Sequence, residues 1–129
     1  MRYECIYNPE LNTVEGVTLG KADVAKFIEL MDRVMGLCKR EEAVNILMDH
    51  SDLDASSLTM ENIERLGRTA ASKKDICKVR KCAHVVINDL QFGLVRAWEI
   101  IVSMYELTDL RTRVFKVRHE AVGWIKADA

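Results

Sequence analysis

The sequence predicts an α/β fold: a mixed, mostly parallel sheet with an N-terminal hairpin and about four helices. Apolar residues recur with a period of two in short runs and with a period near 3.6 in longer ones. From residue 24 onward the two kinds of run alternate, which is the signature of parallel strands joined by helical crossovers. Proline occurs once, at Pro9, so strong breakers are scarce.

The elements follow in order. Arg2 to Tyr7 alternates as a strand does, Asn8-Pro9-Glu10 is a turn, and Leu11 to Val17 reads as a weaker second strand. Val24, Phe27, Ile28, Met31, Val34 and Met35 share one face of a helix, with Thr18 or Asp23 marking its start and Gly36 near its end. Ala43 to Met48 is a short apolar run that fits a buried strand. Asp49 to Thr59 is dense in turn and cap formers and reads as a loop, with Thr59 the N-cap of a helix that turns Met60, Ile63 and Leu66 inward. Cys82 to Ile87 is the next strand, closed by Asn88-Asp89. Leu94, Val95, Trp98, Ile101, Val102 and Tyr105 then mark the most periodic helix. Thr112 to Val117 is a last strand and Glu120 to Lys126 a last short helix.

Composition narrows the class. A chain of 129 residues fits a single domain over 1–129. With 49% hydrophobic and 30% charged residues it is globular rather than disordered or collagen-like. No apolar run approaches the roughly 20 residues of a membrane span. Met1 to Glu10 lacks an apolar signal core, so a cytoplasmic location is expected. A net charge of -1 gives bulk electrostatics no pull toward nucleic acid or an anionic membrane. Cys5, Cys38, Cys77 and Cys82 contain no C-x-x-C pair, so reduced, mostly buried thiols are expected and no metal site. Cys77 and Cys82 are the nearest two and the pair to consider for redox chemistry.

Three stretches resemble the SpoIIAA-like family, whose fold is shared by STAS domains and by the lipid-binding part of CRAL-TRIO proteins. They are Gly16-Val17-Thr18 ahead of the first helix, Val85 to Asp89 followed by Phe92 to Arg96, and Arg113-Val114-Phe115 followed by Glu120 to Ile125. The resemblance runs in order along nearly the whole chain. It implies a right-handed β-α superhelix with a mixed sheet. It also implies a non-enzymatic regulatory or protein-interaction module of the kind formed by the STAS anti-sigma factor antagonists, switched by serine phosphorylation. Asp49-His50-Ser51 matches the D-x-S part of the family's phosphorylated stretch, and Asp54 to Leu58 matches D-S-S-G-L loosely, without the glycine.

Chemistry read from the residues points to candidates of several kinds. Ser56, Ser57 and Thr59 sit near a helix N-terminus, where free N–H groups favour a phosphate, although Asp49, Asp52 and Asp54 oppose it and capping is the simpler role. Asp49, His50, Asn88, Asp89 and Phe92 fall at strand C-terminal ends, where open α/β sheets bind ligands or partners. A P-loop, a G-x-G-x-x-G turn and a G-x-S-x-G elbow are all absent, so no enzyme activity and no cofactor are expected. His84, inside a strand, reads as a structural histidine. Arg65 to Lys81 holds seven basic residues against one acidic, Asp75, and reads as a solvated helix end and loop.

Period two puts Val44, Ile46 and Met48 on one face of their strand, and Ala83, Val85 and Ile87 on one face of theirs, both suited to a core beneath helices. The opposite faces carry Asn45 and Leu47, and His84 and Val86. Their mixed polarity predicts a cover, either a second copy in a homodimer or another helix of the same chain. The alternative function is a small lipid or apolar-ligand carrier of CRAL-TRIO-like type, with Phe92, Trp98, Met31 and Met35 around the pocket. A filled interior would argue against that carrier.

Overall fold

The computed structural model describes residues 1–73, 78–104 and 110–127. The order is β1 (Arg2–Asn8), β2 (Thr13–Lys21), α1 (Val24–Glu41), β3 (Asn45–Asp54), α2 (Met60–Ser72), β4 (Lys81–Val85), α3 (Asp89–Ser103), β5 (Arg111–Phe115) and α4 (Arg118–Lys126). It is an α/β fold, with the expected sequence of strands and helices. Cys77, Tyr105 and the Asp75 part of the basic run lie outside the described residues. No helix among the described residues is long and apolar enough to cross a membrane.

The five strands stand in the sheet in chain order, β1-β2-β3-β4-β5. β1 runs antiparallel to β2, and every later pair is parallel. Crossovers between sequential parallel strands are right-handed as a rule, which stacks their helices on one face. The core agrees: Leu30, Val34 and Cys38 of α1 pack on Val14, Ile46, Met48 and Cys82. α4 follows the last strand and packs on the other face, where Ala121 and Ile125 meet Leu47, Ala83 and Val85.

Caps set the helix ends. Asp23 accepts the Lys26 N–H at the start of α1 and Asn88 the Gln91 N–H at the start of α3. Thr59 and Asn62 form a reciprocal capping box on α2. α1 runs past Gly36 and stops at Glu42, which turns left-handed at φ 54° and donates its N–H to the Cys38 carbonyl. α4 ends differently. Its last carbonyls, on Trp124 and Ala127, accept from the Lys81 ammonium, which is buried beneath them and completes the helix terminus with a cation.

β3 corrects the expected loop. The strand continues to Asp54 instead of ending near Met48. It pairs with β2 across a register shift, Val17 opposite Asp49 and Leu19 opposite Asp52. One extra residue in β3 therefore bulges out, and Asp49 accepts both the N–H and the hydroxyl of Ser51 there. The bulge changes the phase of the strand. Ile46, Met48 and His50 face α1 to α3, and after it Leu53 and Ala55 face the same side. β4 is shorter than expected, because the Ile87 N–H is taken by the Gln91 side chain as the chain turns into α3, and Ile87 is left exposed.

Candidate functional site

The interior beneath α1, α2 and α3 is not filled. A cavity of about 850 Å³ lies between those helices and the sheet. Its floor is Ile46, Met48 and His50 of β3 with Cys82 and His84 of β4. α1 contributes Phe27, Met31 and Met35, α2 Ile63, Leu66 and Ala70, and α3 Leu94, Trp98 and Val102. That volume falls in the range of small-molecule sites.

The cavity follows from how α2 is held. α2 packs mainly on α3 and α1. At Gly67 a Cβ carbon would lie 2.5 Å from Ile101 Cγ2, so the absence of a side chain lets α2 settle closely on α3. α2 therefore roofs the space above the middle of the sheet.

A chain of polar side chains crosses the floor. Thr18 Oγ1 stands 2.8 Å from His50 Nδ1. His50 Nε2 stands 3.3 Å from His84 Nδ1, and His84 Nε2 is 3.4 Å from Cys82 Sγ. The two imidazoles stack at 5.5 Å and 17°, with the Trp98 ring edge-on to His84. Burial pushes His50 down to about 4, against the pull of Asp49. Burial, and then the neighbouring His50, push His84 down to about 3. Both rings are neutral at pH 7. Each nitrogen contact then needs one proton, and the chain runs in one direction from Cys82 to Thr18 or in the reverse. Either direction satisfies every ring nitrogen.

The same stringing decides what the cluster can hold. His84 turns one nitrogen to His50 and the other to Cys82, so the three donors do not converge. No group of three His, Cys, Asp or Glu side chains among the described residues is placed to hold a metal ion. Gln91, at the far end of the cavity, is also fully engaged, donating to the Leu53 carbonyl and accepting from the Ile87 N–H.

Among the described residues, the charged side chains of the lining lie at the opposite end, toward the N-terminal edge of β4 and β5. Lys73, Lys78, Arg80 and Arg111 are there, and the lining contains no acidic residue among those described. Arg80 and Arg111 are joined through the backbone, Arg111 N–H to Arg80 carbonyl at 2.8 Å. The basic run that read as a solvated helix end and loop therefore borders the cavity.

The remaining candidates fall elsewhere. Ser56 donates its hydroxyl to Asp54, Ser57 donates to the Ala22 carbonyl, and Thr59 caps α2, so all three serve turns and caps. Asn88 caps α3, Asp89 is open to solvent, and Phe92 stands outside the cavity beneath Lys116. Asn45, Leu47, His84 and Val86 do not make one face. Leu47 pairs with Ala83 and lies under α4, whereas His84 pairs with Met48 and lines the cavity. All four are buried within this chain, Leu47 beneath α4 and His84 against Trp98 of α3. The His50–His84 pair was missed because the two residues lie in separate strands. Met48 opposite His84 places His50 one same-face position further along, a relationship visible only once the register is known.

Compared with known proteins, the chain matches no family model, no curated protein and no solved structure.

Proposed function

We propose that the chain is a SpoIIAA-like domain that binds a small apolar or lipid-like ligand between its sheet and its first three helices. The observation that carries this reading is the cavity of about 850 Å³ in a chain of 129 residues. Close packing is the rule in protein interiors, and voids larger than a water molecule are few. A space of this size, walled by Phe27, Met31, Met35, Leu66 and Trp98, suits an apolar guest. The polar groups on its floor are satisfied among themselves and make no demand on that guest. The sequential strand order, with a hairpin first and three helices on one face, supports the SpoIIAA-like reading of the fold.

The test uses Nile red, a neutral dye whose emission rises in apolar surroundings. The protein is expected to bind it, and Ala70→Phe, which projects a ring from α2 into the space, is expected to abolish binding while the fold is kept. Absence of binding by the unaltered chain overturns the proposal.

A second reading, the self-associating interaction module, is favoured by a different observation. Ile87, Leu90, Phe92 and Val117 are exposed large apolar residues near the C-terminal ends of β4 and β5. A homodimer joined there is expected to dissociate on Leu90→Asp, read by equilibrium sedimentation. A monomer at micromolar concentration removes this reading and leaves the first intact.

A further inference from the structure

The lining of the cavity divides its chemistry sharply by position. The middle carries apolar side chains and a neutral, internally bonded histidine pair. The end beside Gln91 is lined by Leu53, Ala55 and Leu58, with both Gln91 amide groups engaged. At the N-terminal edge of β4 and β5 the described lining residues include Lys73, Lys78, Arg80 and Arg111 and no acidic side chain. Lys73 there is paired with Asp32 of α1. Lys78 and Arg80 are exposed and form no ion pair with any described residue. Among the described residues, no buried side-chain nitrogen or oxygen is left without a hydrogen-bond partner.

We propose that the natural ligand is an anionic amphiphile, a carboxylate or phosphate monoester on a single apolar tail. The tail lies in the cavity against Met31, Met48 and Trp98, and the head is held by Lys78 and Arg80 at the basic end. This deepens the ligand-binding reading above and rests on it. The charge pattern also fixes the direction of entry. An anion carried past the neutral histidines into the Gln91 end would lose its hydration without a counter-charge, whereas at the basic end it keeps water and gains cations. A guanidinium and an ammonium side by side recognise either head, Arg80 by paired N–H groups and Lys78 as a point charge.

The experiment is displacement of Nile red at pH 7.5 by three probes with the same tail, dodecanoate, dodecyl phosphate and dodecanol, each below its micelle concentration. Acetate and inorganic phosphate serve as heads without tails. The two anionic amphiphiles are expected to displace the dye at roughly tenfold lower concentration than dodecanol. In the Lys78→Ala/Arg80→Ala double variant, whose altered side chains are exposed, that gap is expected to close while dodecanol displaces as before. Equal displacement by all three amphiphiles overturns the proposal, and so does a gap that survives in the double variant. Displacement by acetate or inorganic phosphate as effective as by the long-chain anions also overturns it, since the tail would then contribute nothing. If Nile red does not bind the unaltered chain at all, the cavity reading itself fails, which is a separate result.

Discussion

Gly67 of α2 and Ile101 of α3 meet so closely that a methyl group on Gly67 would fall 2.5 Å from Ile101 Cγ2. The neighbour is the branched end of a short, stiff side chain and cannot swing clear. Gly67→Ala is therefore expected to push α2 off α3 and to destabilise the fold by about 1–3 kcal/mol, despite alanine's better helix propensity. Thermal denaturation checks this. A rise in stability would mean that α2 is not seated as described.

Gly16 gives the opposite case. Its Cβ position is occupied by the end of Met48, with Sδ at 2.7 Å. Methionine is flexible, and Met48 borders open space on its cavity side. Gly16→Ala is expected to cost no more than about 1 kcal/mol and to drive the Met48 side chain into the cavity. The measurement is Nile red affinity, which should fall while the melting temperature barely moves.

The histidine pair predicts a pH dependence with a definite sign. In the unfolded chain both rings titrate near 6.5, whereas in the fold His50 stays neutral down to about 4 and His84 to about 3. Between these values the unfolded state binds more protons. Stability is therefore full above pH 6.5 and falls as pH drops toward 4, by up to about 1.4 kcal/mol per pH unit for each ring. Denaturant titrations between pH 7 and 5 lie above the range of ordinary carboxylates and read mainly this effect. In His50→Gln the slope should be roughly halved.

Lys81 predicts a local effect. Removing its ammonium in Lys81→Met takes the cationic donor from the Trp124 and Ala127 carbonyls, of which Trp124 keeps the Ala127 N–H. A loss of about 1–3 kcal/mol is expected, together with faster amide exchange in α4. Exchange in α1 should change only through the global term.

Much of this architecture was legible from residue spacing. The face of α1 was plain in Val24, Phe27, Met31 and Val34, and the Thr59 cap in its residue type, while the start of α1 lay open between Thr18 and Asp23 until Asp23 proved the cap. β3 beyond Met48 was not, because Asp49, Ser51, Asp52 and Asp54 favour turns when read locally. Pairing with Leu19, Gly20 and Lys21 of β2 overrides that preference. The candidate site was legible in pieces. Trp98, Met31 and Met35, which spacing assigns first to core packing and only under the carrier alternative to a pocket, do line the cavity, whereas Phe92 does not. The volume itself was hidden, since spacing reports which side chains point inward and not whether they meet. The basic end was visible as a charge run, but its position against the interior depends on where β4 and β5 begin.

The alternation along β3 and β4 has a consequence for how this chain can change. Ile46, Met48, Cys82 and His84 face the cavity, and Leu47, Ala83 and Val85, interleaved with them, carry α4. Neighbouring codons thus answer to unrelated pressures. Substitutions at one parity can change the shape of the interior while the other parity keeps the sheet anchored. A lineage could reshape the interior by single steps without first acquiring a sturdier scaffold.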